Sequence, residues 1–169
     1  MKSSKLLLAF CLLVLSVPLF SQEYLIRVDF SERKLFLIGD TEVVITTYSV
    51  AIPGFKPNYL PISGFVTEVE RNPHWYPTEK TRKHYLEAYE IELPKIVEPN
   101  DPLNAMGAAQ IIIQFENAGI NPLIRIHGTN EEQLIGQKVT SGCIRLHNKD
   151  ILELVGIIEG KHTKVIFEK

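Results

Sequence analysis

From residue 24 to residue 52, apolar and β-branched residues dominate the chain, in runs that have the length of β-strands. Short polar, turn-like stretches separate these runs at residues 31–33 and 39–40. The pattern predicts a short antiparallel meander rather than helices. Its three strands are expected at residues 24–29, 34–38 and 42–51.

Later parts of the chain also contain apolar or alternating runs of strand length, separated by turn signals. One such turn signal is the pair Asn121-Pro122. Further strands are expected at residues 64–70, 111–115, 123–127, 143–147 and 163–167.

Three short helical segments interrupt the strands. The first has Thr78 as its predicted N-cap, followed by the acidic Glu79. Asn148 is expected to cap the last one, with Asp150 in the first turn, where the helix dipole favours an acid. The sequence therefore predicts a single, mainly β domain with two or three short helices. The helices are expected at residues 78–90, 131–135 and 148–158.

The first twenty-odd residues have the parts of a secretory signal peptide. Lys2 and Lys5 precede an apolar run over residues 6–17, and the small Ser21 before Gln22 offers a cleavage point. The run is short for a membrane span, so the cleaved protein is expected to have none, and an uncleaved N-terminal anchor is the alternative. We expect a signal peptide at residues 1–21 and one domain at residues 22–169.

Composition and charge narrow the function classes. The 169 residues include 18 basic and 20 acidic side chains, for a formal net charge of −2. With 45% hydrophobic and 22% charged residues, the composition is that of an ordinary globular protein. Because a near-neutral, slightly acidic chain has no general attraction for phosphate backbones, we expect no nucleic-acid partner.

Cysteine usage points to one residue. Of the two cysteines, Cys11 lies in the predicted signal peptide, so Cys143 is expected to be the single thiol of the exported protein. Exported proteins usually carry cysteines in pairs. A lone thiol is therefore a buried residue with no reactive role, an intermolecular link or a nucleophile, and its sequence neighbours favour the nucleophile.

Those neighbours can activate a thiol. A thiol becomes a good nucleophile when its pKa is lowered, commonly by an imidazole or a guanidinium, and His127 and Arg145 can supply these groups. Gly142 permits a backbone bend that exposes the Cys143 sulfur and directs amide N–H groups at a developing oxyanion. On a strand, Cys143 and Arg145 share one face, while Ile144 points to the core.

A zinc site is the alternative chemistry for the same region. Cys143 and His147 are four positions apart, which suits metal chelation on a helix but separates them by about 13 Å on a strand. With His127 they would form an open catalytic zinc site only if the strand were a helix. We therefore expect no metal and no other cofactor.

The motif His127-Gly128-Thr129, followed by Ser141-Gly142-Cys143-Ile144-Arg145-Leu146, resembles the signature of the L,D-transpeptidase catalytic domain, also called the YkuD domain. Residues 72–77, 93–94 and 104–107 resemble the subgroup that attaches lipoprotein to peptidoglycan in bacterial envelopes. The resemblance covers nearly the whole mature chain. It implies that the mainly β domain is a β-sandwich or barrel of this family.

The resemblance also implies a cysteine acyltransferase. Cys143 matches the nucleophile, which attacks the carbonyl of the third residue of a peptidoglycan stem peptide, forms a thioester and releases D-alanine. His127 matches the base, Gly142 and Cys143 the oxyanion N–H donors, and Arg145 the motif arginine. Substrate contacts are expected from Gly128, Thr129, Thr140, Ser141 and Trp75.

The acyl group is expected to pass to an amine of a second stem peptide or of a lipoprotein lysine, in the periplasm or cell envelope. Two alternatives stay open. One is a peptidoglycan hydrolase or amidase that uses the same Cys143–His127 pair with water as the acceptor. The other is a non-catalytic wall-binding protein that retains the fold. The protein is expected to be a monomer.

Overall fold

The computed structural model describes residues 23–55, 57–116 and 124–169. The predicted signal peptide, the Asn121-Pro122 turn and the first residue of the strand predicted at 123–127 lie outside these residues. The described elements are, in chain order, β1 (Glu23–Asp29), β2 (Lys34–Ile38), β3 (Val44–Ser49), β4 (Ile52–Pro53), β5 (Ile62–Arg71), α1 (Glu79–Tyr89), β6 (Ala109–Phe115), β7 (Arg125–His127), a 3-10 turn (Glu132–Leu134), β8 (Lys138–Thr140), β9 (Ile144–Arg145), α2 (Asn148–Ile158) and β10 (His162–Glu168).

Eight strands form one mixed sheet in the order β3-β2-β1-β10-β5-β6-β7-β9. The predicted antiparallel meander of β1, β2 and β3 is confirmed. The C-terminal β10 lies between β1, to which it is parallel, and β5, to which it is antiparallel. β4 and β8 form a separate parallel pair. The fold is mainly β with two short α-helices in the described part of the chain, as predicted.

Predicted boundaries agree best where a local signal sets them. β2 has the predicted bounds, and α1 follows Thr78, whose hydroxyl oxygen accepts the Thr81 amide at 3.1 Å. β3 is shorter than predicted at both ends. At its start Glu42 adopts a left-handed turn conformation with φ 57°, and after its end Ala51 forms a bridge to Arg145 instead of pairing with β2.

Two predictions next to the cysteine are wrong. The strand expected at residues 143–147 is confined to Ile144–Arg145, because Gly142 has φ 151° and His147 already leads into α2. Asn148 does not cap α2, since His147 occupies the N-cap position and Asn148 is the first helical residue. The Asn148 side chain forms hydrogen bonds with two neighbouring loops instead.

The core lies between the sheet and α2, which packs beside β6. The apolar face of α2 is buried, and the sheet contributes side chains that are almost inaccessible to solvent. This packing fixes the adjacent strands β6, β7 and β9. By contrast, α1 buries none of its residues. The main core side chains are Ile26, Ile111, Ile126, Ile144, Ile151, Leu154, Val155, Ile158, Val165 and Phe167.

Candidate active site

The parallel strands β7 and β9 place the His127 motif beside the Cys143 motif. Ile126 pairs with Ile144, His127 pairs with Arg145, and the Leu146 amide donates to the His127 carbonyl oxygen at 2.9 Å. Paired residues of neighbouring strands point to the same side of a sheet. The two isoleucines are buried in the core, and His127 and Arg145 both line a cavity on the other side.

The loop between β8 and β9 carries the thiol. The Thr140 carbonyl oxygen accepts the Gly54 amide at 3.0 Å, and the Thr140 hydroxyl donates to the Cys143 carbonyl oxygen at 2.6 Å. Gly142 has φ 151°, and the space that a side chain there would occupy is open. The predicted bend is therefore present. It leaves Cys143 half-buried on the cavity wall.

A cavity of 590 Å³ lies in front of the thiol and the imidazole. Seven of the predicted site residues line it: His127, Thr140, Ser141, Gly142, Cys143, Arg145 and Trp75. Its remaining lining residues were not predicted: Phe55, Tyr59, Thr78, Thr81, Tyr85, Ala105, Met106 and Ile124. Ala105 and Met106 belong to the family-like segment 104–107, but the others come from separate segments that only tertiary folding brings together, so no motif or spacing in the sequence identifies them.

Gly128 and Thr129, the other two predicted substrate contacts, do not line this cavity. Both are buried, and Asn148 holds them in place. Its Oδ1 accepts the Ala108 amide at 2.9 Å and the Thr129 amide at 3.2 Å, while its Nδ2 donates to the Thr129 carbonyl oxygen at 2.7 Å. A Cβ at Gly128 would lie 2.3 Å from the same Oδ1. These residues therefore support the chain directly after His127.

His127 is buried and uncharged near neutral pH. Its pKa is lowered to about 4, mainly by burial and also by the Arg145 and Arg125 guanidinium groups, while hydrogen bonds to the Gly128 and Met106 carbonyl groups act in the opposite direction. Its Nδ1 lies 2.7 Å from the Gly128 carbonyl oxygen. Because a carbonyl oxygen only accepts, Nδ1 carries the hydrogen and Nε2 keeps its lone pair. The side chain can therefore accept a proton.

The Cys143 thiol is also disfavoured in its charged form. Burial raises its pKa, and the Arg125 amide, the Arg125 guanidinium and the Arg145 guanidinium oppose that effect without overcoming it. The sequence-based expectation of a lowered thiol pKa is therefore wrong in its net direction. Near neutral pH the site holds a thiol and a neutral imidazole rather than an ion pair.

Arg145 is fixed through both its backbone and its side chain. Its amide and carbonyl groups bond Ala51 at 3.0 and 2.9 Å. Its Nη1 donates to Glu131 Oε2 at 3.0 Å, and the side chain is 20% exposed. Arg145 thus braces the loop and also presents a positive group, partly neutralised by Glu131, to the cavity.

His147 lies away from the thiol cavity, on the surface. Its Nδ1 is 3.2 Å from Glu132 Oε2, and its side chain is 41% exposed. Within residues 23–55, 57–116 and 124–169, no three histidine, cysteine or acidic side chains are grouped closely enough to hold a metal ion. The donor set that the zinc alternative requires is not brought together in the described chain.

Aromatic side chains also line the cavity. Trp75 packs edge-to-face against Tyr85 of α1 with ring centroids 6.0 Å apart, and its backbone pairs with Val97. The Tyr59 hydroxyl is buried without a hydrogen-bond partner among the described residues, and burial raises the pKa of Tyr59. A buried hydroxyl of this kind is suited to a polar group of a bound ligand.

The arrangement agrees with a known family. The L,D-transpeptidase catalytic domain family, named YkuD, matches residues 23–167. The chain belongs to this family. Within the described residues of this catalytic domain, neither helix has the length and hydropathy that a bilayer-spanning segment requires.

Similar proteins carry names consistent with the family. "Probable L,D-transpeptidase ErfK/SrfK" of Escherichia coli (strain K12) is 44% identical over 129 residues, which cover 75% of this chain and 38% of that protein. "Probable L,D-transpeptidase YcfS" of the same strain is 33% identical over 131 residues, which cover 76% and 39%. The chain therefore spans about two fifths of the length of these relatives.

A solved structure shares the fold of this catalytic domain. L,D-transpeptidase 3 from Mycobacterium tuberculosis, in complex with a faropenem-derived adduct, superposes with a TM-score of 0.56. The match covers 88% of this chain and 61% of that chain, at 14% sequence identity.

Proposed function

We propose that this protein is an exported cysteine L,D-transpeptidase that acts on peptidoglycan stem tetrapeptides. The observation that carries the proposal is the Cys143 thiol and the neutral His127 imidazole on one cavity wall. Family membership supports the reaction class. The cavity volume of 590 Å³ is within the range of pockets that hold small ligands and short peptides.

In the acylation step, His127 Nε2 takes the thiol proton as the Cys143 sulfur attacks the carbonyl carbon of the third stem residue. The N–H groups of Gly142 and Cys143 stabilise the resulting oxyanion. The Gly142 amide has only a long contact, 3.4 Å, with the Thr140 hydroxyl, and it can exchange that contact for the oxyanion. The carbon–nitrogen bond then breaks, His127 returns its proton to the leaving nitrogen, and D-alanine departs from a thioester.

In the second step, an acceptor amine attacks the thioester carbonyl carbon and transfers one proton to His127. The carbon–sulfur bond breaks, the amide product leaves, and the proton returns to the Cys143 sulfur. The acceptor amine belongs to a second stem peptide or to an envelope lipoprotein lysine. In both steps, each bond change is balanced by the Cys143–His127 pair.

The proposed reaction is tested with a purified tetrapeptide donor, with and without an added amine acceptor. We expect release of D-alanine and an amide-linked product whose mass equals tripeptide plus acceptor. Cys143→Ala should abolish both products. His147→Gln is the matched histidine control and should retain them, because this histidine lies at the surface with Glu132.

Other outcomes separate the alternatives. Release of D-alanine with only tripeptide, even at high amine concentration, would identify a hydrolase that uses the same residues. Binding of the donor with no release of D-alanine would identify a wall-binding protein. Either result would overturn the proposed transfer.

A further inference from the structure

A row of polar side chains crosses the sheet and ends at the site. Glu70 on β5 pairs with Gln110 on β6, Gln110 pairs with His127 on β7, and His127 pairs with Arg145 on β9. Residues paired across neighbouring strands share one side of the sheet. These four side chains therefore lie on the side opposite the core.

Arg125 lies in the adjacent row, next to the thiol. It precedes His127 by two positions on β7, so both side chains point to the same side of the sheet. Arg125 and Cys143 directly precede the paired residues Ile126 and Ile144 of the parallel strands β7 and β9, and the Arg125 amide donates a hydrogen bond to Cys143. Among the interactions that favour the deprotonated sulfur, the Arg125 amide and guanidinium are larger than that of Arg145.

The two arginines near the sulfur differ in how they are held. Arg145 contacts a carboxylate directly, with Nη1 at 3.0 Å from Glu131 Oε2. Arg125 Nη1 instead donates to Gln110 Oε1 at 2.7 Å, and Gln110 Nε2 donates to Glu70 Oε2 at 2.5 Å. Among the residues that the structure describes, Arg125 forms no ion pair with a carboxylate.

A carboxylate in contact offsets much of the field of a guanidinium, whereas a neutral amide orients it and leaves its charge in place. Gln110 is 3% exposed, so this orientation is fixed from within the protein. Arg125 is therefore the arginine whose positive charge acts on the Cys143 sulfur with least compensation.

We propose that Arg125 is a positioning residue for the Cys143 nucleophile: held by Gln110 and Glu70, it keeps a positive charge beside the sulfur and favours the deprotonated form of that sulfur. This inference rests on the proposed role of Cys143. It assigns Arg125 no contact with substrate, since Arg125 does not line the cavity. The titratable and charged groups that face the sulfur or its arginines are Tyr59, Tyr85, Arg125, His127, Glu131 and Arg145.

The test is the pH dependence of Cys143 alkylation by iodoacetamide, followed at the Cys143 peptide by mass spectrometry. Arg125→Gln should raise the midpoint of the alkylation profile by about one pH unit, which is a roughly tenfold lower rate near neutral pH. Arg125→Lys keeps the charge and should stay within a few tenths of a unit of the wild type. Arg71→Gln is the control, because Arg71 is exposed and pairs with Glu159.

An unchanged midpoint in Arg125→Gln would overturn the proposal. So would an equal shift in Arg71→Gln, which would show a general effect of net charge, or in Arg125→Lys, which would show a loss of packing. Because alkylation needs no donor peptide, these outcomes are independent of transpeptidation. A shifted midpoint in a protein that releases no D-alanine would contradict only the proposed function.

If Arg125→Gln does not fold, as judged by circular dichroism, Glu70→Gln provides the second variant. It preserves an acceptor for Gln110 and removes the negative charge at the far end of the row. The alkylation midpoint should then fall. A midpoint that is unchanged or raised would overturn the proposal.

Discussion

Burial acts on Cys143 and His127 in opposite directions, because it disfavours the charged form of each side chain. The pKa of the thiol is raised and the pKa of the imidazole is lowered to about 4. Neither residue is charged near neutral pH, so in the proposed reaction the proton moves when the sulfur attacks rather than beforehand. The role that we propose for His127 is therefore that of a general base during the reaction.

The lowered pKa of His127 makes stability depend on pH. The unfolded chain, with a histidine pKa near 6.5, binds a proton before the native state does, so stability is full above pH 6.5 and is lost as the pH falls toward 4. We expect His127 to account for a loss of about 2 kcal/mol between pH 7.5 and pH 5. Urea unfolding at the two pH values measures it.

The controls are two single substitutions. His127→Gln should lack this component, so its stability should change less with pH than that of the wild type. His147→Gln should follow the wild type, because His147 is exposed at 41%. If the free energy of unfolding changed equally with pH in the wild type and in His127→Gln, the result would contradict a buried, neutral imidazole.

Gly128→Ala should destabilise the protein and reduce acyl transfer. Its Cβ would lie 2.3 Å from Asn148 Oδ1 and 2.9 Å from the Ala108 nitrogen, so the chain after His127 must shift. We expect a loss of about 1–3 kcal/mol, measured by urea unfolding. Gly156→Ala is the matched control, since no atom outside the backbone of its own helix lies within 4 Å of its Cβ position.

The control substitution Gly156→Ala is also expected to change the free energy of unfolding in a definite direction. Gly156 lies within α2, where alanine is favoured over glycine by about 0.5–1 kcal/mol. Gly156→Ala should therefore be neutral or stabilising. Equal destabilisation by both substitutions would contradict the specific role of Gly128.

At the scale of elements, α2 anchors the strands that carry the site. Leu154 is fully buried on its inner face, whereas Leu152 is 39% exposed. Leu154→Ala should cost about 2–5 kcal/mol, because it removes core packing and leaves a cavity. Leu152→Ala should cost less than about 1 kcal/mol. Thermal or urea unfolding of the two variants checks the difference, and similar losses would contradict the packing of α2.

Elements defined by local signals could be predicted from the sequence. β2 has the predicted bounds, and the Thr78 cap and the short helical segment predicted at residues 131–135 are also confirmed. The predicted capping role of Asn148 is wrong because its side chain accepts the Ala108 amide, 40 positions away, instead. Local propensity contains no information about such contacts.

Contacts between residues distant in sequence also limit how much of the candidate site can be predicted. The motif identifies Cys143, His127 and Arg145, which the fold brings to one cavity. Tyr59 and Tyr85 come from distant segments without a motif. The net pKa direction of the thiol depends on burial, which the neighbours in sequence do not reveal.

At the scale of the whole molecule, the site lies where β9 forms one edge of the eight-stranded sheet. The sheet and α2 support β7 and β9, while α1, through Thr81 and Tyr85, and the Trp75 segment contribute side chains to the cavity wall. α1 buries no residue, so its contribution to core stability is small compared with that of α2. The molecule thus combines a stable nucleophile support with a lightly packed cavity wall.

Export is a prediction for the whole chain, since residues 1–22 lie outside the described residues. The lysines and apolar run at the N-terminus predict cleavage after Ser21. N-terminal sequencing of the protein recovered from the envelope of an expressing bacterium should begin at Gln22. A sequence that retains residues 6–17 would show the uncleaved anchor instead.

We propose that Cys143 carries the acyl group and that His127 is its base. Intact-protein mass spectrometry after brief mixing with tetrapeptide donor tests it most directly. We predict a mass increase equal to the donor minus D-alanine, located on Cys143, absent in Cys143→Ala and much slower to form in His127→Gln. Two results would contradict a thioester on Cys143. One is loss of D-alanine from the donor without any mass increase on Cys143, and the other is loss of D-alanine at the same rate in Cys143→Ala.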